Sequence, residues 1–277
     1  MSDRRGARAA AGVIVALGML LALPMAGGAA ASFQDGYAAY QQGGFATARR
    51  IWRDLAAAGD ARAQFNLGTL YDEGRGVAPN PALAREWWRK AAAQDMPEAL
   101  HNLAVDALFG AAGSGDAAAQ EKALRDLARA AELGSRRSQY VLGKIYLHGR
   151  NVPADPVKGR YWIEKAANQG FDRAQYNMGK IARDGIAGPV DKKAAAMWFL
   201  KAAKQGYAKA QNHIGMRYAR GEGVARDDAE ALFWLTLAAR QGFWTAEVNR
   251  KALLSRLSRE MAVAAEHRAD AWTPKQR

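Results

Sequence analysis

The chain has 277 residues, 49% of them hydrophobic, which is enough to bury a large core. It has no cysteine, and this excludes disulfides, a thiol nucleophile and a lipid-modified cysteine behind a leader. The 40 Lys and Arg outnumber the 27 Asp and Glu, giving a formal charge of +13; such an excess ordinarily points to nucleic acid, but an exported chain would meet acidic protein segments or anionic envelope polymers instead.

The first ten residues, MSDRRGARAA, are basic, and no charge follows until Asp35. Residues 13–23 are strongly apolar, Pro24 breaks the run, and Ala29, Ala30 and Ala31 offer a small-residue cleavage site. This is the pattern of a secretory signal peptide over residues 1–31, cleaved near Ala31. Residues 9–31 are also long enough to span a bilayer, but Pro24, Gly27 and Gly28 argue against an uncleaved anchor, and Arg4-Arg5 lacks the aromatic that usually follows a twin-arginine signal. Removal of residues 1–31 leaves 37 basic against 26 acidic residues, or +11.

Residues 33–60 read as a short helical hairpin, with helices over 35–42 and 45–58, a Gly43-Gly44 turn, and Trp52 in the tryptophan column that the later units share. Residues 61–96 form a fuller unit with Gln64, Gly68, Gly74, an Asn80 cap followed by Pro81, Trp87, and an extra Trp88 beside it. Residues 97–135 are a degenerate unit. Ala104 replaces the mid-helix glycine, Asp116 keeps the cap, Asp126 falls where Trp is expected, and Ala130-Ala131 arrives three residues late. The second helix there is therefore expected to be longer by almost one turn and its packing looser. Residues 110–115 read as a flexible turn, and longer loops are where function concentrates.

Residues 136–171, 172–207 and 208–243 are three copies of one 36-residue unit. They share Gln139, Gln175 and Gln211; Gly143, Gly179 and Gly215; Gly149, Gly185 and Gly221; Asp155, Asp191 and Asp227; Trp162, Trp198 and Trp234; an Ala-Ala pair; and a closing Gln-Gly-aromatic. A fixed period of this length specifies a stacked array. In the first copy the helices are expected over 137–148 and 156–169. A left-handed cap favours Gly149 after the first helix, Asp155 caps the second, and Pro156 sits at a position where its missing N–H costs nothing. Gly143 and its equivalents, which each cost ~1 kcal/mol relative to alanine in a helix interior, imply close packing against a neighbouring helix, with the Trp column filling the core and the Ala pair letting the next unit approach. Residues 245–256 continue the stack as a capping helix. Ser258 and Glu260 mark a helix start, and residues 261–272 form a last helix packing through Met261, Ala264 and Ala265, with residues 273–277 frayed.

The motifs AQYNMG at 174–179, LGxxYxxG at 142–149 and 67–74, GRGV at 74–77, GEGV at 221–224 and WxxKAAxxG at 162–170 resemble the Sel-one-like repeat (SLR) family, relatives of the tetratricopeptide repeats. The resemblance implies an all-α fold, a right-handed α/α solenoid of stacked hairpins occupying residues 32–272 as a single domain. It also implies an interaction scaffold or regulator, and it names no partner. Some secreted members are bridged by paired cysteines, and this chain departs from them.

The chemistry-bearing residues assemble no catalytic motif. His101, His148, His213 and His267 lie in separate units without metal-binding spacing, Gly74–Gly76 and Gly221–Gly223 follow helices rather than strands, and GxSxG and GK[ST] are absent; neither cofactor nor metal is expected. In tetratricopeptide relatives the first helix of each unit lines a concave surface, and counting along these helices gives three columns. Two residues before the mid-helix glycine stand Asn66, Asn102, Val141, Asn177 and His213. Six before it stand Arg62, Glu98, Arg137, Arg173 and Lys209, and one after it Lys144 and Lys180. The asparagines resemble the one that grips ligand backbone in peptide-binding relatives, although such a residue also bonds locally. The columns suggest a basic, hydrogen-bonding groove for an acidic or extended segment of a periplasmic protein. The alternative is an anionic polysaccharide stacking on Trp88, Phe109 and Trp244, which lie outside the Trp column; a cell-wall enzyme is the third reading, and the chain has no room for a further domain to carry it.

Overall fold

The computed structural model describes residues 31–110 and 116–274, which are helical throughout their regular structure. The leader, the Arg4-Arg5 pair, most of the 110–115 turn and the last three residues lie outside the described residues. Two compact units divide at Ser135 and Arg136, a repeat boundary. In the first, α1 (Phe33–Gln41) pairs with α2 (Phe45–Ala57), α3 (Ala61–Glu73) with α4 (Pro81–Ala92), and α5 (Pro97–Phe109) with α6 (Ala117–Glu132). In the second, α7 (Arg136–His148) pairs with α8 (Pro156–Asn168), α9 (Asp172–Asp184) with α10 (Lys192–Ala203), and α11 (Ala208–Arg220) with α12 (Asp228–Arg240); α13 (Trp244–Leu254) and α14 (Arg259–Asp270) both pack on α12. No described helix is long and apolar enough to cross a membrane.

The caps follow the residues that the period singles out. Asp155, Asp191 and Asp227 accept from the backbone N–H of Lys158, Ala194 and Glu230 at 2.8–2.9 Å, satisfying donors that a helix start otherwise leaves open. Gly185 and Gly221 close α9 and α11 in the left-handed region at φ 67° and 66°, where a Cβ would be strained. In the degenerate unit α6 has 16 residues against 13 in α8, and Asp126 pairs with Lys122 at 2.5 Å.

The mid-helix glycines sit where the two helices of a hairpin touch. A Cβ on Gly143 would lie 2.6 Å from Ile163 Cγ1 and 2.9 Å from the Gly159 carbonyl oxygen; one on Gly179 would lie 2.6 Å from the Phe199 ring. Gly215 meets Leu235 and Gly68 meets Trp88 in the same way. The residue that fills the notch is thus the one after the Trp column. Trp88 is buried core, its indole donating to the Phe65 carbonyl at 3.2 Å, and not an exposed platform. Trp52 matches Trp88 rather than Trp87: it packs on Gly36 and donates to the Phe33 carbonyl at 3.4 Å. In the Trp column, Trp198 and Trp234 are buried and Trp87 and Trp162 half-buried, with Lys90, Lys165 and Lys201 lying over Trp87, Trp162 and Trp198 at 4.1, 5.5 and 4.2 Å.

A second device joins successive hairpins. Gln175 donates to the Ala167 carbonyl of the preceding hairpin at 3.2 Å and accepts from Gln205 at 2.7 Å. Gln211 repeats this with Ala203 and Gln241, and Gln64 with Ala56 and Gln94. One buried carboxamide thereby ties its own helix to the preceding helix and to the turn that ends its own hairpin, with its donor and its acceptor both used, as a buried polar side chain requires.

At the C-terminal end the inward face of α14 is Ala262, Ala265 and Ala269, rather than Met261 and Ala264, which are exposed. The helix starts at Arg259, with Ser258 accepting from the Met261 N–H, and its small face closes on α12, where Arg268 pairs with Glu230 and Arg240 with Asp270. Gly143→Ala should destabilise the fold by about 1–3 kcal/mol through overpacking, although alanine gains about 1 kcal/mol of propensity in a free helix; urea unfolding of the two proteins checks the sign.

Candidate binding face on the first helices of the repeats

In the second unit the first helices are joined by polar contacts between residues 37 apart. Asn177 donates through Nδ2 to Tyr140 Oη at 3.2 Å and to the Arg173 carbonyl at 2.8 Å. Tyr176 Oη lies 3.4 Å from His213 Nε2, and Asn249 donates to Asn212 Oδ1 at 2.9 Å. Asn177 therefore uses both Nδ2 hydrogens inside the fold and offers a ligand only its Oδ1. The His213 ring stacks on Phe199 at 4.8 Å and 12°. Burial, helped by Arg183, Arg217 and Lys180 and opposed by Asp184, pushes its pKa down to about 4, so it is neutral at neutral pH.

The first unit carries the same column without its partners. Asn66 is fully buried, and among the described residues neither of its amide atoms nor Asn102 Nδ2 has a hydrogen-bond partner. Phe33 and Phe65 stand where later repeats have Tyr140 and Tyr176, and a phenyl ring has no oxygen to accept. Asn66 consequently lies inside rather than on an open face. Arg62 is exposed, pairs with Asp60 at 3.3 Å and lies over the Phe33 ring at 4.5 Å.

The basic columns reach the surface of the second unit. Arg173 and Lys209 are exposed; Arg137, Lys144 and Lys180 are half-buried. Lys144, Arg150 and Lys180 are close enough to His148 to add to the burial that lowers its pKa. A cleft of about 370 Å³ opens between the α10–α11 and α12–α13 turns, with Lys209, Asp172, Tyr207 and Phe243 in its wall; burial pushes the Tyr207 hydroxyl up to about 12. Arg217 was not singled out by the sequence, yet it is buried beside Phe199 at 5.3 Å, with Nη1 donating to the Glu222 carbonyl at 3.3 Å and 3.6 Å from its carboxylate. Its signal is an arginine in a column that the other two regular repeats fill with Ile145 and Ile181. A count by halves gives a second missed signal. Residues 136–277 hold 26 Lys and Arg against 13 Asp and Glu, whereas residues 1–135 hold 14 of each, so the whole excess belongs to the second unit. Among the described residues no group of His, Asp and Glu is placed to hold a metal ion.

Tyr140→Phe should cost about 1 kcal/mol by removing a hydrogen-bond acceptor, and Phe65→Tyr should recover a similar amount if its hydroxyl reaches Asn102; chemical denaturation measures both. His213 gives a pH signature. Its folded pKa lies below its unfolded value, so the unfolded chain takes up the proton first as pH falls from 6.5 toward 4, and stability is lost across that window. His213→Asn should remove that part of the loss, read as the difference between the two pH–stability curves.

A profile of the Sel1 repeat matches residues 61–96, 97–135, 136–171, 172–207 and 208–243, the boundaries the internal period marks. Among solved structures, the chain resembles c5321, a protective antigen of uropathogenic Escherichia coli displaying an SLR fold. That match has 29% identity and a TM-score of 0.75 over 86% of this chain, and it spans 51% of that one. It also resembles a Sel1 repeat protein from Oxalobacter formigenes, with 26% identity and a TM-score of 0.73 over 86% of this chain and 99% of that one. No curated protein matches it. With five such repeats, the chain belongs to the Sel1-repeat family, a non-enzymatic, scaffold-type family whose members generally mediate protein–protein interaction.

Proposed function

We propose that the protein is an exported, periplasmic interaction scaffold or regulator whose second unit holds an acidic or extended segment of an envelope protein. The observation that carries this reading is the recurrence of Arg137, Arg173 and Lys209 in one column and Lys144 and Lys180 in another, on α7, α9 and α11. The polar ladder beside them uses its own donors within the fold, so recognition falls to the charges. Electrostatic recognition of that kind sets association rate and partner choice and is sensitive to salt. Export is supported by the basic start, the apolar run over 13–23 and the small residues at 29–31.

A second reading, binding of an anionic polysaccharide, draws on the exposed rings of Phe109 and Trp244; Trp88 no longer contributes to it. The variant R137E/R173E/K209E distinguishes the two. Under the protein-partner reading, pull-down from envelope extract recovers an acidic protein with the wild type and loses it with the variant, while a glycan array stays silent. Undiminished capture by the variant would reject the basic face.

A further inference from the structure

The second helices of the last three repeats share one register but not one environment. On α12 the outward columns hold Phe233 and Leu237, which are 5% and 6% exposed because α14 lies across them. Ala265 and Ala269 of α14 belong to the same core cluster as Phe233 and Leu237. Arg268 lies over the Phe233 ring at 4.5 Å and pairs with Glu230. On α8 and α10 the equivalent columns are open. Tyr161 and Met197 are 49% and 47% exposed, with Val157 at 69%, and where α12 has Leu237 stand the exposed Lys165 and Lys201.

The open columns also differ in charge. The positions matching Glu230 and its neighbours carry Lys158 on α8 and Lys192 and Lys193 on α10, with Lys204 just beyond the end of α10. The one carboxylate within these two helices is Glu164. Lys158 is paired with Asp155 at 3.4 Å. Lys165 instead lies over Tyr161 at 4.8 Å, and Lys201 over Trp198 at 4.2 Å; neither forms an ion pair among the described residues. Each of the two helices thus shows exposed apolar side chains, Val157 and Tyr161 on α8 and Met197 on α10, with lysines on the same helix.

We propose that this face of α8 and α10 is a second docking site, separate from the first-helix face, and that it takes an acidic amphipathic helix of a partner protein in the way that α12 takes α14. The occupant is set by the chain's own example. A helix with a small apolar face fits over the Tyr161–Met197 columns as Ala265 and Ala269 fit over Phe233 and Leu237. The edge contacts differ in sign: α12 meets α14 through one ion pair of each sense, Glu230 with Arg268 and Arg240 with Asp270, whereas α8 and α10 offer lysines and call for Asp and Glu. Helix-in-groove recognition of this type takes its anchors at helical spacing, and the lysine edges select the sign of the partner.

The test uses the full chain and a stapled peptide of the α14 sequence, residues 259–270, carrying R259E, H267E and R268E. Fluorescence anisotropy should show saturable binding. The exposed-site variant K165E/K193E/K201E should weaken it by at least about tenfold with its helical circular dichroism retained at the assay temperature, while R137E/R173E/K209E should leave it intact, which separates this site from the face of the proposed function. No binding, or binding unaffected by the lysine reversals, overturns the proposal, as does loss of binding in R137E/R173E/K209E alone. Phosphatidylglycerol vesicles provide the last arm. They are expected neither to sediment the chain through these lysines nor to displace the peptide; displacement would make the face a membrane-contacting surface and reject the helix.

Discussion

The contact between helices at Gly143, Gly179 and Gly215 is the constraint on which the second unit depends. A missing side chain lets the partner helix seat Ile163, Phe199 or Leu235 against bare backbone, and close packing of this kind tolerates little change of volume. Once the two helices of a hairpin are fixed in rotation and height, the rest of the period falls into register. Gln175 and Gln211 reach a carbonyl behind them and a second glutamine ahead, and Tyr140 and Tyr176 meet Asn177 and His213 one repeat on.

Register decides which polar residues remain for a partner. Side chains that the period brings against the next hairpin are consumed in joining repeats, as the glutamines and Asn177 are. The columns between those joints are basic at Arg137, Arg173, Lys209, Lys144 and Lys180, and in residues 136–277 basic residues outnumber acidic ones 26 to 13. The first unit has the same backbone plan with a balanced charge and with phenyl rings in place of hydroxyl partners. A shared repeat fold thus carries two chemically different surfaces. The family supplies the general role of protein interaction, and the sign of the charge narrows the kind of partner.

Much of the fold could be read from the sequence because its determinants are local and recur. Asp155, Asp191 and Asp227 announce helix starts, glycines in the left-handed region announce helix ends, and the 36-residue period sets the boundaries that the family profile also finds. Errors arose where one residue of helical rotation, about 100°, decides the answer. The notch is filled by the residue after the tryptophan, so Trp88 is core, and α14 buries Ala265 and Ala269 rather than Met261 and Ala264. The asparagine column could not be interpreted within one repeat, because the hydroxyl that Asn177 meets, and that Asn66 and Asn102 lack, belongs to the repeat before. The confinement of the charge excess to residues 136–277 needed only counting by halves.

Hydroxyl-radical footprinting of the full chain with a poly-glutamate peptide, at low and at high salt, tests the central claim most directly. Protection should appear at low salt on the open faces of α7, α9 and α11 around Arg173, Lys180 and Lys209, and should vanish at high salt. Protection confined to residues 31–135, or protection that persists unchanged in high salt, would contradict it.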